Sequence, residues 1–299
     1  MILHEYVENE DDLLGKAFEL FDKTCYGAHP LAQPVIGTRA NIRRFTRAEL
    51  LDYVGRQYSG ANVVVGIAGD IDPARMVAAA EAAFGSMPRG APNAVAAPAW
   101  IGGTRAHRDA AGSQAHAVLG FPIPGLHDDP HAAIVAATLF GEGMSSPLMD
   151  QIRERRGLVY YAACSADVSE TCGQFVVEAS TAPEHLDEFF VEVTRLLAAH
   201  ADAIDPVALE RAHNQIAVRG LRAQEQPFRR LEDAALDLYV HGRVRPRAEA
   251  TARARAVTAD QVREAFRRMR AARPTVAVAG KLGKGASSRF YDIVAGRGG

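Results

Sequence analysis

The chain has 299 residues, too many for one ordinary hydrophobic core and enough for two. Apolar residues make up 48% and charged residues 23%, the composition of a soluble globular chain, and a formal charge of -2 gives no basic surplus for nucleic acid. Three cysteines, Cys25, Cys164 and Cys172, are too few and too scattered for a disulfide framework or a thiolate zinc site. Cys164 and Cys172 could face each other across a hairpin as a buried thiol pair. No apolar run reaches membrane-span length and no signal peptide follows Met1, so the default expectation is a cytoplasmic protein.

Ile2, Leu3, Tyr6 and Val7 share a helical stripe, and Leu13 to Cys25 continue with the same period. Glycines and prolines from Gly27 to Gly37 mark turns. Thr46, with Glu49 three residues on and Phe45 and Leu50 around it, predicts a capped helix reaching about Gln57. Asn62 to Gly69 reads as a buried strand, and Asp72-Pro73 opens another helix that ends near Gly85. Proline and glycine among the alanines of 88–104 predict a linker. Beyond it come a strand at 115–123, a helix at 129–140 and a helix from Ser146-Pro147 that ends with Gly157 at C′. Strands near 158–168 and 172–180 follow as a hairpin. Helices then fill most of 184–270, and a last strand covers 274–280.

The capped-helix pattern occurs twice. Thr258 with Gln261, bracketed by Val257 and Val262, leads to a strand ending Ala279-Gly280, as Thr46 leads to Ala68-Gly69. Gly69 lies 23 positions beyond Thr46 and Gly280 lies 22 beyond Thr258, which predicts a duplicated domain. The second copy runs for about 175 residues, so the start of the first is expected roughly 105 residues before Met1. The expected architecture is therefore α+β: two related domains, each an antiparallel-rich sheet flanked by helices, the first incomplete at its N-terminus. Their expected bounds are 1–87 and 105–299, joined by the linker at 88–104.

These residues resemble the pitrilysin/insulinase-type zinc metallopeptidases, a family that includes the mitochondrial processing peptidase. Met1-Ile-Leu-His-Glu5 resembles the helix whose glutamate is the third zinc ligand. His29-Pro30-Leu31 with Gly37-Thr38, and Tyr58-Ser59-Gly60-Ala61-Asn62, resemble two further stretches of the first domain. Most specific is Ser145-Ser146 through Arg153-Glu154-Arg155-Arg156-Gly157-Leu158-Val159-Tyr160, which is similar to the Ser-Ser…Arg-Glu-x-x-Gly-Leu-x-Tyr signature of the second domain.

The resemblance implies zinc-dependent cleavage of peptides or unfolded polypeptides. It assigns Glu5 to the metal, and Arg153 and Tyr160 to the scissile bond. A guanidinium can bind the substrate carbonyl, and a phenol can donate to the tetrahedral oxyanion. Read without the family, Glu5 is a solvated helix carboxylate, Arg153 a cation favoured at a helix C-terminus and Tyr160 a strand aromatic. The family draws two zinc ligands and its general base from His-x-x-Glu-His on one helix. None of the ten histidines stands in that motif. The chain by itself is therefore expected to be inactive. It would be either part of a zinc endopeptidase or the non-catalytic partner or scaffold of a heterodimeric one. Expected partners are a peptide substrate and a homo- or heterodimer with a motif-bearing subunit.

Overall fold

The computed structural model describes residues 2–110 and 112–297, which divide into two compact units. One unit comprises Met1–Thr38, Ala97–Ile216 and Ala252–Gly299. Its strands are β1 (Gly103–Arg108), β2 (Ala115–Ile123), β3 (Tyr161–Val168), β4 (Gly173–Thr181) and β5 (Thr275–Gly280). They form one sheet in the order β1-β5-β2-β4-β3. The β1–β5 pair is parallel and every other pair is antiparallel. Together with the helices described below, this is the expected α+β fold.

Successive strand residues face opposite sides of a sheet, and here both sides are covered. α1 (Ile2–Asp11) leads into α2 (Leu13–Tyr26) through Asp12, whose carboxylate caps α2 by accepting from the Leu14 N–H. Val118, Val176, Ala277 and Ala279 pack against α2. The close approach needs Gly120, where an added Cβ would lie 2.5 Å from the Phe21 ring. Trp100 edges against Phe21 and Tyr26 and donates its indole N–H to the Arg273 carbonyl at 2.8 Å. α2, which the sequence places with the first domain, thus packs on the sheet at the centre of 105–299.

The opposite face carries the main core. α6 (His131–Gly141), α7 (Leu186–Asp202), α11 (Ala259–Ala271) and α12 (Ala286–Val294) bury Leu119, Phe121, Phe175, Val177, Val276 and Val278. The rings of Phe140, Phe175 and Phe266 meet pairwise with centroids 5.9–6.0 Å apart. α11 begins with the expected capping box: Thr258 Oγ1 accepts from the Gln261 N–H, and Gln261 Oε1 accepts from the Thr258 N–H. Thr258→Ala is expected to cost about 1 kcal/mol. An unchanged urea midpoint would show that the cap contributes nothing.

The other unit comprises Arg39–Ala96 and Ala217–Thr251. It holds α3 (Arg39–Arg44), α4 (Arg47–Gln57), α5 (Pro73–Phe84) and α9 (Pro227–His241). α8 (Pro206–Glu225) and α10 (Arg247–Arg255) have residues in both units. The Thr46–Glu49 capping box and the Asp72 cap form as expected.

The strand expected at 62–69 does not form. Val64, Val65 and Ile67 stay 45–49% exposed. Its sequence twin, β5, lies between β1 and β2 and is buried throughout. Strand N–H and C=O groups need a ladder partner, and no strand among the described residues of this unit offers one. Ser59 is the only described residue of the unit that is buried.

The thiol pair does not form either. Cys164 lies opposite Val177, and Cys172 precedes β4 beside Ser169 and Tyr26. The hairpin register thus sets the two thiols at different points along the strands.

Candidate functional site

The segment from Glu142 to Tyr161 runs from the C-terminus of α6 to the start of β3. Ser146 is fully buried, and its hydroxyl accepts from the Met149 N–H. The expected helix is present as a short π-helix, Met149–Glu154. Arg155 closes it by donating to the Asp150 carbonyl five residues back. Gly157 adopts φ +62, which favours glycine, and fulfils its expected role as the terminator. Its N–H donates to the Arg153 carbonyl, and the Leu158 N–H donates to that of Ile152. This is the Schellman closure lengthened by one residue, as π winding requires.

Burial alternates sharply along this stretch and decides which side chains reach solvent. Ile152 is fully buried, and Arg153 beside it keeps its side chain 39% exposed. The Arg153 guanidinium meets the Glu154 carboxylate at 3.2 Å and the Met144 sulfur at 3.9 Å. Leu158 and Val159 are buried, and Tyr160 emerges 63% exposed immediately before β3. The Tyr160 N–H donates to the Ser180 carbonyl at 2.9 Å, and the Thr181 hydroxyl donates to the Leu158 carbonyl. β4 therefore fixes the backbone that presents the phenol.

Tyr161 faces the other way and donates to Glu178 at 3.0 Å. Burial raises the pKa of that carboxyl, and it also raises that of the Tyr161 phenol. No hydrogen bond joins Arg153 to Tyr160 among the described residues. The two are presented separately, seven positions apart, by one turn.

Arg156, in the same run, anchors the turn to α7. Its guanidinium lies 3.4 Å from Glu188 and 3.3 Å from Glu192, and Glu192 also holds Arg195. The Glu192 side chain is only 4% exposed, among Phe189, Phe190 and Val193. Its pKa is held below the ordinary 4.5, first by the Arg195 hydrogen bond and also by the charge of Arg156. A lowered folded-state pKa gives stability that is complete above the unfolded value and is lost as pH falls through the folded one. Glu192→Gln is expected to cost about 1–2 kcal/mol at pH 7, discounted because both arginines are half exposed. The cost should shrink towards pH 3. Equal losses at the two pH values in thermal unfolding would reject the ion-pair account. Sequence reasoning missed Glu192, although a carboxylate on the apolar stripe of a helix is a readable signal.

Glu5 lies exposed on α1, beside a solvent-exposed His4–Glu8 pair 3.8 Å apart. No hydrogen bond or ion pair links it to Arg153 or Tyr160. Among the described residues no three His, Cys, Asp or Glu side chains are grouped to hold a metal. Catalytic zinc needs three protein ligands with an open position, and one exposed carboxylate does not fit it. No described helix is long and apolar enough to cross a membrane.

The family description "Peptidase M16 inactive domain" matches residues 44–216, which include the whole Arg153–Tyr160 segment. An uncharacterized zinc protease of Streptomyces coelicolor is 30% identical, over 98% of this chain and 66% of its own length. One from Rickettsia felis is 27% identical over 82% and 60%. The mitochondrial-processing peptidase subunit beta of Caenorhabditis elegans is 24% identical over 90% and 61%. The chain thus spans two thirds or less of these relatives.

Two solved structures share the fold. A chain of Complex III2 from Candida albicans superposes with TM-score 0.89 at 17% identity, covering 98% of this chain and 73% of that one. A peptidase M16 inactive domain from Pseudomonas fluorescens gives 0.81 at 21%, covering 94% and 69%.

Proposed function

The chain belongs to the M16 peptidase family, and from that premise we propose that it supplies the substrate-contacting, zinc-free part of a metalloendopeptidase acting on peptides or unfolded polypeptides. The observation that carries this reading is the inactive-domain match over 44–216, which contains the Arg153–Tyr160 signature on a turn that presents both side chains to solvent. Residues 1–87 represent part of a first domain, 88–104 its linker and 105–299 the second domain.

In this reading Arg153 binds the carbonyl oxygen of an extended peptide and fixes its register. Tyr160 donates its phenolic proton in a hydrogen bond to the oxygen on which charge develops. A zinc ion would take its two histidine ligands from a His-x-x-Glu-His segment outside these 299 residues. Glu5 completes that ligand set only alongside the two histidines.

The alternative, a non-catalytic subunit or scaffold paired with a motif-bearing chain, draws support from the likeness to a named processing-peptidase subunit. Both readings place Arg153 and Tyr160 at the substrate. The test is peptide hydrolysis by the purified chain, alone and mixed with a motif-bearing polypeptide. Chelator-sensitive hydrolysis is expected only in the mixture. The same activity from the chain alone with excess zinc would overturn the proposal.

A further inference from the structure

The loop that leads into the turn carrying Arg153 is held by a helix far away in sequence. Arg211 of α8 donates through Nη2 to the Leu139 carbonyl at 3.1 Å, and through Nη1 to the carbonyl of Ser145 at 2.5 Å and its hydroxyl at 3.3 Å. One turn further on, Gln215 donates to the Glu142 carbonyl at 3.1 Å. Leu139 is among the last residues of α6, whose final carbonyls have no partner inside the helix. Gly143, at φ +85, lets Gln215 in, since a Cβ there would lie 2.9 Å from Gln215 Nε2.

These contacts fix the loop on which the site segment depends. Met144 within it touches the Arg153 guanidinium, and Ser146 at its end caps the turn that starts the π-helix. We propose that Arg211 is a positioning residue for Arg153. Its guanidinium fork ties the end of α6 to Ser145 and so sets where the π-helix places the arginine. The planar fork is what reaches two carbonyls six residues apart, and a lysine ammonium lacks that geometry. The proposal rests on the reading of Arg153 as a substrate-contacting group, and the tests separate the two.

Hydrogen exchange on the 299-residue chain comes first. In Arg211→Ala the amides of 146–158 should exchange ~10-fold faster, with those of β2 and β4 unchanged. Arg211→Lys should fall between. Gln215→Ala, which removes only the Glu142 contact, should give the same pattern more weakly if the alanine variant at 211 fails to fold. No local change in either variant, or an equal change in the sheet, overturns the proposal.

In the assembled peptidase, Arg211→Ala should lower kcat ~10-fold with little change in KM. The double variant with Arg153→Ala should be no worse than Arg153→Ala alone. Effects that multiply would mean that Arg211 does not act through Arg153. An Arg153→Ala enzyme with full activity would remove the substrate role of Arg153 and leave the exchange result standing.

Discussion

Purified and dialysed, the 299-residue chain is expected to retain less than about 0.1 zinc per molecule. A polypeptide extended upstream by roughly one hundred residues, the distance implied by the internal repeat, is expected to hold one. Catalytic zinc requires three protein ligands brought to one point, and its affinity comes from the set. Glu5 is one exposed carboxylate on α1, and its near neighbours His4 and Glu8 are exposed at the helix surface as well. A lone carboxylate competes poorly with water for a divalent ion. Elemental analysis of the two proteins decides the matter. One tightly held zinc on the shorter chain would sink the proposal that the metal set lies elsewhere. No zinc on the extended form would favour a separate motif-bearing subunit.

The smaller unit bears on the same experiment. Leu50, Leu51, Tyr53 and Val54 of α4, and Val77 and Phe84 of α5, are all 45–57% exposed. So are Val64 and Val65 of the 62–69 segment, written in the same pattern as the fully buried β5. A stretch can carry every local sign of a strand and still not be one, because the ladder and the covering layer are contributed by other residues. This explains which features could be read from the sequence. Capping boxes at Thr46 and Thr258, the Gly157 stop, β2 and the β3–β4 hairpin are specified by residues within a few positions of each other. All of them appear as expected.

What escaped the sequence was settled at longer range. The π winding of 149–154 looks like any helix in its apolar spacing. The packing of α2 on the sheet at Gly120 joins residues about one hundred positions apart. Hairpin register, which separates Cys164 from Cys172, depends on how the turn at Ser169 closes. In the candidate site the two presenting residues were legible because they lie in one run with its terminating glycine. Their supports, Glu192 and Arg211, lie 39 and 58 positions beyond Arg153. No local pattern connects them to it.

Tyr160→Phe in the zinc-loaded assembly is expected to lower kcat/KM by about 100-fold, the usual loss when one oxyanion donor is removed. Arg153→Ala should lower it by a similar factor, and Arg153→Lys should recover little of it, since the planar guanidinium is what fixes a carbonyl by two donors. Both side chains reach solvent, Tyr160 at 63% exposure and Arg153 at 39%. Thermal unfolding and zinc content should therefore match the unaltered protein, which separates a catalytic loss from a folding one. Tyr161→Phe is the control. That phenol is the next in sequence, yet it points to Glu178 on the other side of the strand, and its loss should leave the rate within about twofold. If Tyr161→Phe lost the activity and Tyr160→Phe kept it, the face of the sheet that receives substrate would be the one covered by α2. The assignment of Arg153 would fall with that of Tyr160, because one turn presents both.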